Sequence, residues 1–156
     1  MRPLLAALLA CALYSCHAAP AFAHMHDRPD LDQWLGSLNS AQRGPCCDST
    51  EAETMADPDW KVASEMKPGE CKKGNPGITD DKPPVFCVRL EYPDPEDAGK
   101  FEWWEVPPGA IVMKNETEEE PNRAGPALLW LYWVRTGDGY ENMKPYIRCF
   151  VKGALS

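Results

Sequence analysis

Proline and glycine limit this chain more than any other feature. From Gly44 onward 13 of the 16 prolines and 10 of the 11 glycines recur at such short intervals that no long helix fits, save a turn or two around residues 49–55. What remains between them is strand-sized. The apolar stretches are residues 60–63, 85–92, 101–106, 110–113, 127–134 and 146–151, separated by turn signals such as Gly74-Asn75-Pro76-Gly77, Pro93-Asp94-Pro95, Pro107-Pro108-Gly109 and Gly137-Asp138-Gly139. In 85–92 one face carries Phe86, Val88, Leu90 and Tyr92 and the other Arg89 and Glu91, the alternation of a strand covered on one side. Residues 127–134 are apolar on both faces, with Leu129, Leu131 and Trp133 opposite Leu128, Trp130 and Tyr132, which places them at the centre of the sheet or across a barrel.

Upstream of Gly44 the pattern changes. Leu31, Trp34, Leu35 and Leu38 fall at i, i+3, i+4 and i+7 behind Asp30, which can cap a short amphipathic helix that lays Trp34 on the core, with Gly36 its weak point. The expected fold is therefore β-rich (α+β): a small antiparallel sheet or barrel with one short N-terminal helix, stapled by disulfides.

Residues 1–23 read as a secretory signal, with Arg2 as the positive start, an uncharged apolar run over 4–13, and Ala21-Phe22-Ala23 as the cleavage pattern. That run is too short to span a bilayer, and no later stretch approaches the required length. Cleavage before His24 leaves residues 24–156 as a single exported domain with 24–29 as a mobile lead. The cysteines inside the segment form weak lipoprotein boxes at Cys11 and Cys16, so lipid anchoring is the alternative to free periplasmic or secreted export.

Of seven cysteines, Cys46, Cys47, Cys71, Cys87 and Cys149 remain after cleavage, an odd number, so one stays outside the bridges or pairs between chains. Cys71 and Cys87 flank a loop rich in Lys, Gly, Pro and Asp with little core of its own, and bridging them pins it. Adjacent Cys46 and Cys47 diverge and each must look elsewhere; Cys149, near the other end of the domain, pairs with one of the two, and the sequence leaves open which. A redox or metal role for Cys46-Cys47 finds no support, since Pro45 and Asp48 do nothing to lower a thiol pKa and no C-x-x-C spacing occurs.

The order Gly44-Pro45-Cys46-Cys47-Asp48, Asp57-Pro58-Asp59-Trp60, Trp104-Glu105-Val106-Pro107, 121–127 (PNRAGPA) and Ile147-Arg148-Cys149-Phe150 resembles a group of small secreted proteins of alphaproteobacteria. The resemblance implies export and a shared fold, and no reaction. Against it, Cys71, Cys87 and the acidic run look like insertions.

Function is constrained mainly by exclusion. A formal charge of −8 repels phosphate backbones and anionic leaflets, so nucleic acid is not an expected partner. Of three histidines, only His24 and His26 survive cleavage, at a chain end, which removes the imidazole that a hydrolytic triad needs. Asp57, Asp59, Glu102 and Glu105 could supply a carboxylate pair, but acids are abundant here. No phosphate-cradling glycine loop and no calcium loop are present.

Three readings follow. The first is a non-catalytic exported binding or structural module, with Trp103 and Trp104, on opposite sides of one strand, as its candidate surface for a protein or small molecule. A second is copper(II) or nickel(II) binding through a mature His24-Met25-His26 terminus, whose amine, backbone amides and third-position imidazole make a square-planar nitrogen set. The last is an acidic inhibitor of a cationic hydrolase, acting through the run at 116–120, which is otherwise a solvated loop. No resident cofactor is expected.

Overall fold

The computed structural model describes residues 28–40, 44–47, 52–56, 59–76, 83–115, 118–138 and 142–153. The expected signal segment, the histidines at its end and the lipid-box cysteines lie outside the described residues. The fold is β-rich, with eight antiparallel strands, one short helix and two disulfides among the described residues.

Helix α1 spans Asp32–Ser37 and is entered through a 3-10 turn at Pro29–Leu31, so it begins differently from the expected cap at Asp30. Pro29 presets the first turn, and Asp30 instead pairs with Arg28 at 2.8 Å. Gly36 and Ser37 close it, and Leu38 is already extended while its N–H returns to Leu35 O.

Strands β1 (Asn39–Ser40) and β2 (Gly44–Pro45) form a small ribbon beside the helix. Next come β3 (Glu53–Met55) and β4 (Trp60–Val62), then β5 (Phe86–Glu91), β6 (Phe101–Val106), β7 (Ala127–Arg135) and β8 (Met143–Val151). Of the short helical option at 49–55, residues 49–51 lie outside the described residues, and Glu53 to Met55 form a strand that adds to the edge of β7 opposite Leu129 to Ala127.

Two three-stranded sheets result, ordered β3-β7-β8 and β4-β5-β6. Their inner faces meet over Trp60, Phe86, Val88, Leu90, Trp104, Val106, Leu129, Ile147 and Phe150. On the far side of β7-β8, α1 and the residues flanking it pack Leu31, Trp34, Leu35 and Leu38 against Leu128, Trp130, Cys149 and Val151. This explains why β7 is apolar on both faces: it is the middle layer of three, and Trp130 at its centre is wholly buried. Past a register shift between Trp130 and Leu131, the β7-β8 hairpin runs beyond α1, leaving Tyr132 44% exposed and stacked on Tyr146.

A strap formed by residues 71–76 closes the seam between the sheets. Lys72 N donates to Trp103 O and its carbonyl accepts from Glu105 N, both at 2.8 Å, on the free edge of β6. Three residues on, Asn75 N donates to Pro145 O at 2.7 Å on the edge of β8. The Asn75 side chain then does what a strand would do, donating from Nδ2 to Ile147 O at 2.7 Å and accepting from Ile147 N at 3.0 Å. Gly74 is required beside it, since a Cβ there would stand 2.8 Å from Pro145 O.

Both disulfides match the sequence reading. Cys71 is bonded to Cys87, and Cys46 is bonded to Cys149 across 103 residues. Of the adjacent pair, Cys46 is thus the bridged one. Its Sγ lies in the helix-side core, whereas the Cys47 thiol donates to Leu35 O at 3.1 Å.

Candidate functional site on the outer face of the second sheet

Strand alternation divides β4-β5-β6 into two faces. The outward positions are Lys61 on β4, Cys87, Arg89 and Glu91 on β5, and Phe101, Trp103 and Glu105 on β6, with Arg89 opposite Trp103 and Glu91 opposite Phe101. Cys87 alone among the outward β5 residues is buried, because its bridge to Cys71 covers that end of the face.

The rest is open and aromatic. Phe101 is 46% exposed and Val85 42% exposed at the two ends of the sheet, and Trp103 is half-buried between them. A cation lies over each ring. Arg89 stands 4.8 Å from the Phe101 centroid, held there by Asp59 at 3.0 Å, and Lys61 Nζ stands 5.1 Å from Trp103. Cations and carboxylates alternate around the rings, so the face offers donors, acceptors and apolar area together.

Trp103 and Trp104 divide as adjacent strand residues must, but only Trp103 contributes surface. Trp104 is 3% exposed and meets Tyr92 and Trp133 edge-on in the core, which withdraws it from the candidate binding face. Where the inner face reaches the end of the sheet, a polar cluster forms: Tyr92 OH donates to Glu102 Oε2 at 2.8 Å, and Lys72 Nζ pairs with Glu102 Oε1 at 2.5 Å. Burial raises the Glu102 carboxyl, but the hydrogen bonds from Lys72 and Tyr92 outweigh it and hold the group below its usual range. The Tyr92 phenol is pushed up to about 12 by burial and by its bond to Glu102.

The three described candidate carboxylates do not gather. Glu102 faces inward and Glu105 outward, Asp59 serves Arg89, and Asp57 lies outside the described residues. His24 and His26, the expected copper or nickel ligands, also lie outside the described residues, and among the described residues no group of three or more His, Cys, Asp or Glu side chains is placed to hold a metal. The described part of the acidic run is partnered within the chain: Glu118 pairs with Lys114 at 3.4 Å, Glu119 with Lys152 at 2.8 Å, and Glu120 accepts from Trp34 Nε1 at 3.0 Å. Among the described residues, no helix is long and apolar enough to cross a membrane.

Sequence reasoning singled out Trp103 but missed Phe101, Arg89 and Lys61 as its neighbours. The alternation of 85–92 already put Arg89 outward; the register that sets it beside Trp103 needed the paired strands. Comparison with known protein families, curated proteins and solved structures gives no match.

Proposed function

We propose that this chain is an exported, non-catalytic binding module that engages a protein or small molecule through the outer face of β4-β5-β6. The observation that carries the reading is Phe101, 46% exposed on a regular sheet face beside Trp103, with Arg89 and Lys61 over the two rings. Aromatic and arginine side chains on one rigid face supply contact area with little ordering cost. Export is supported by the residue 1–23 pattern and by two disulfides, which persist in oxidising compartments. The non-catalytic part is supported by the separation of Glu102, which faces inward, from Glu105 and from Asp59, which is paired with Arg89.

The test places a photoreactive phenylalanine analogue at Phe101 and, as a control, at Gln33, which is exposed on α1. Irradiation in the exporting cell followed by mass analysis should give a discrete adduct at position 101 and none at 33. Equal labelling at both positions, or none at 101, contradicts the proposal.

A further inference from the structure

The seam between the two sheets has a covalent latch. Among the described residues, no backbone hydrogen bond joins β6 to β8 directly; the strap at 71–76 makes the connection, with Lys72 on β6 and Asn75 on β8. One end is pinned by Cys71–Cys87 and the Lys72–Glu102 pair, the other by Asn75 and Ile147. The two disulfides differ in access. Cys46 and Cys149 are both wholly buried between α1 and the middle sheet, whereas Cys71 is partly exposed at the surface. A thiolate from solvent can therefore reach one bridge without disturbing the core and can reach the other only if the helix layer opens.

We propose that Cys71–Cys87 is a reducible latch, whose opening by a dithiol reductant releases the strap and unseals the β6-β8 seam while the three-layer core and Cys46–Cys149 stay intact. In the exchange, one thiolate of the dithiol attacks Cys71 Sγ, the sulfur–sulfur bond breaks and Cys87 leaves as a thiolate that takes up a proton. The second thiol then attacks the mixed disulfide, expelling Cys71 and leaving the reductant as its own disulfide. Two thiols are gained by the protein and two are lost by the reductant. With the latch open, Lys72 and Asn75 keep only non-covalent ties, so the edges of β6 at Trp103 and Glu105 and of β8 at Pro145 and Ile147 become available for pairing with another extended segment.

The experiment is a titration of the oxidised, processed protein with dithiothreitol under native conditions, with alkylation and peptide mass mapping at each step, followed by hydrogen exchange. Alkylation at Cys71 and Cys87 should precede that at Cys46 and Cys149. At that stage the amides of Glu105, Asn75 and Ile147 should exchange about 100-fold faster, the order of factor expected when so short a cross-linked loop is released, while those in the centre of β7 change by less than about twofold. A Cys71→Ser, Cys87→Ser double variant should reproduce the same local pattern without any reductant. Loss of Cys46–Cys149 first or simultaneously, unchanged exchange at Ile147 after reduction, or a uniform acceleration over β7 and β8 would each overturn the latch.

Discussion

Asn75 stands in for a strand residue at the edge of β8. Its backbone adopts φ 47°, its side chain is buried, and both amide atoms are used by Ile147. Alanine at this position leaves the Ile147 N–H and carbonyl to find other partners, and the loss is about 2–4 kcal/mol, two hydrogen bonds with at least one group left buried. Asn75→Asp should cost at least as much at neutral pH, because a carboxylate cannot donate to the Ile147 carbonyl. Urea denaturation of the three proteins checks both.

The Tyr92–Glu102–Lys72 cluster makes a pH prediction of opposite sign at the two ends of the scale. Glu102 is lowered in the folded state, so its contribution is present above the ordinary carboxylate range and is lost as pH falls through the folded value. The stability gap between wild type and Glu102→Gln should therefore be open at neutral pH and close in acid. Tyr92 is raised from 10.0 to about 12, so the unfolded chain ionises first, and stability falls as pH rises through that window. Tyr92→Phe should flatten this alkaline loss. Stepped-pH denaturation of the three proteins reads both limbs.

At the scale of elements, β7 carries the most weight because it is covered twice. Trp130 at its centre is wholly buried, yet among the described residues its indole N–H has no hydrogen-bond partner, so part of what its area contributes is offset by a desolvated donor. Trp130→Phe should accordingly cost under about 2 kcal/mol, while Trp130→Ala, which opens a large cavity between the sheet and α1, should cost about 3–5 kcal/mol.

The layers around β7 were legible to different degrees. Ala127 to Trp130 announced a twice-covered strand because burial on both faces removes polar residues from both, whereas the same pattern continued over Leu131 to Trp133, where only one face is covered and Tyr132 is exposed. Phe86 to Glu91 was equally plain from its alternation. The strap was not legible, since Lys72 and Asn75 sit in a polar loop and the partner edges that give them meaning are more than thirty residues away. Trp34 followed the expected helical stripe, but its bond to Glu120 depends on a chain return that no local pattern encodes. The acidic run read as a solvated loop or a docking patch for the same reason: Lys114 is visible nearby, Lys152 is not.

For the molecule as a whole, the two disulfides tie the layers in different ways. Cys46–Cys149 joins the helix side to the last strand across 103 residues, and closing so long a loop restricts the unfolded chain strongly. Replacing Cys149 by Ser should lower stability by about 2–5 kcal/mol, measured as a fall in the denaturation midpoint, and should leave Cys71–Cys87 formed. Cys71–Cys87 shapes a surface instead: it covers the outer sheet face at Cys87, between exposed Val85 and the aromatic part at Phe101 and Trp103.

An exported chain whose oxidised fold presents that face is tested most directly by a non-reducing peptide map of the protein recovered from its native compartment. The predicted result is a chain beginning at His24, with linked fragments joining Cys46 to Cys149 and Cys71 to Cys87, and Cys47 in neither. A chain that retains residues 1–23, five reduced cysteines, or a fragment joining Cys47 to Cys149 would contradict it.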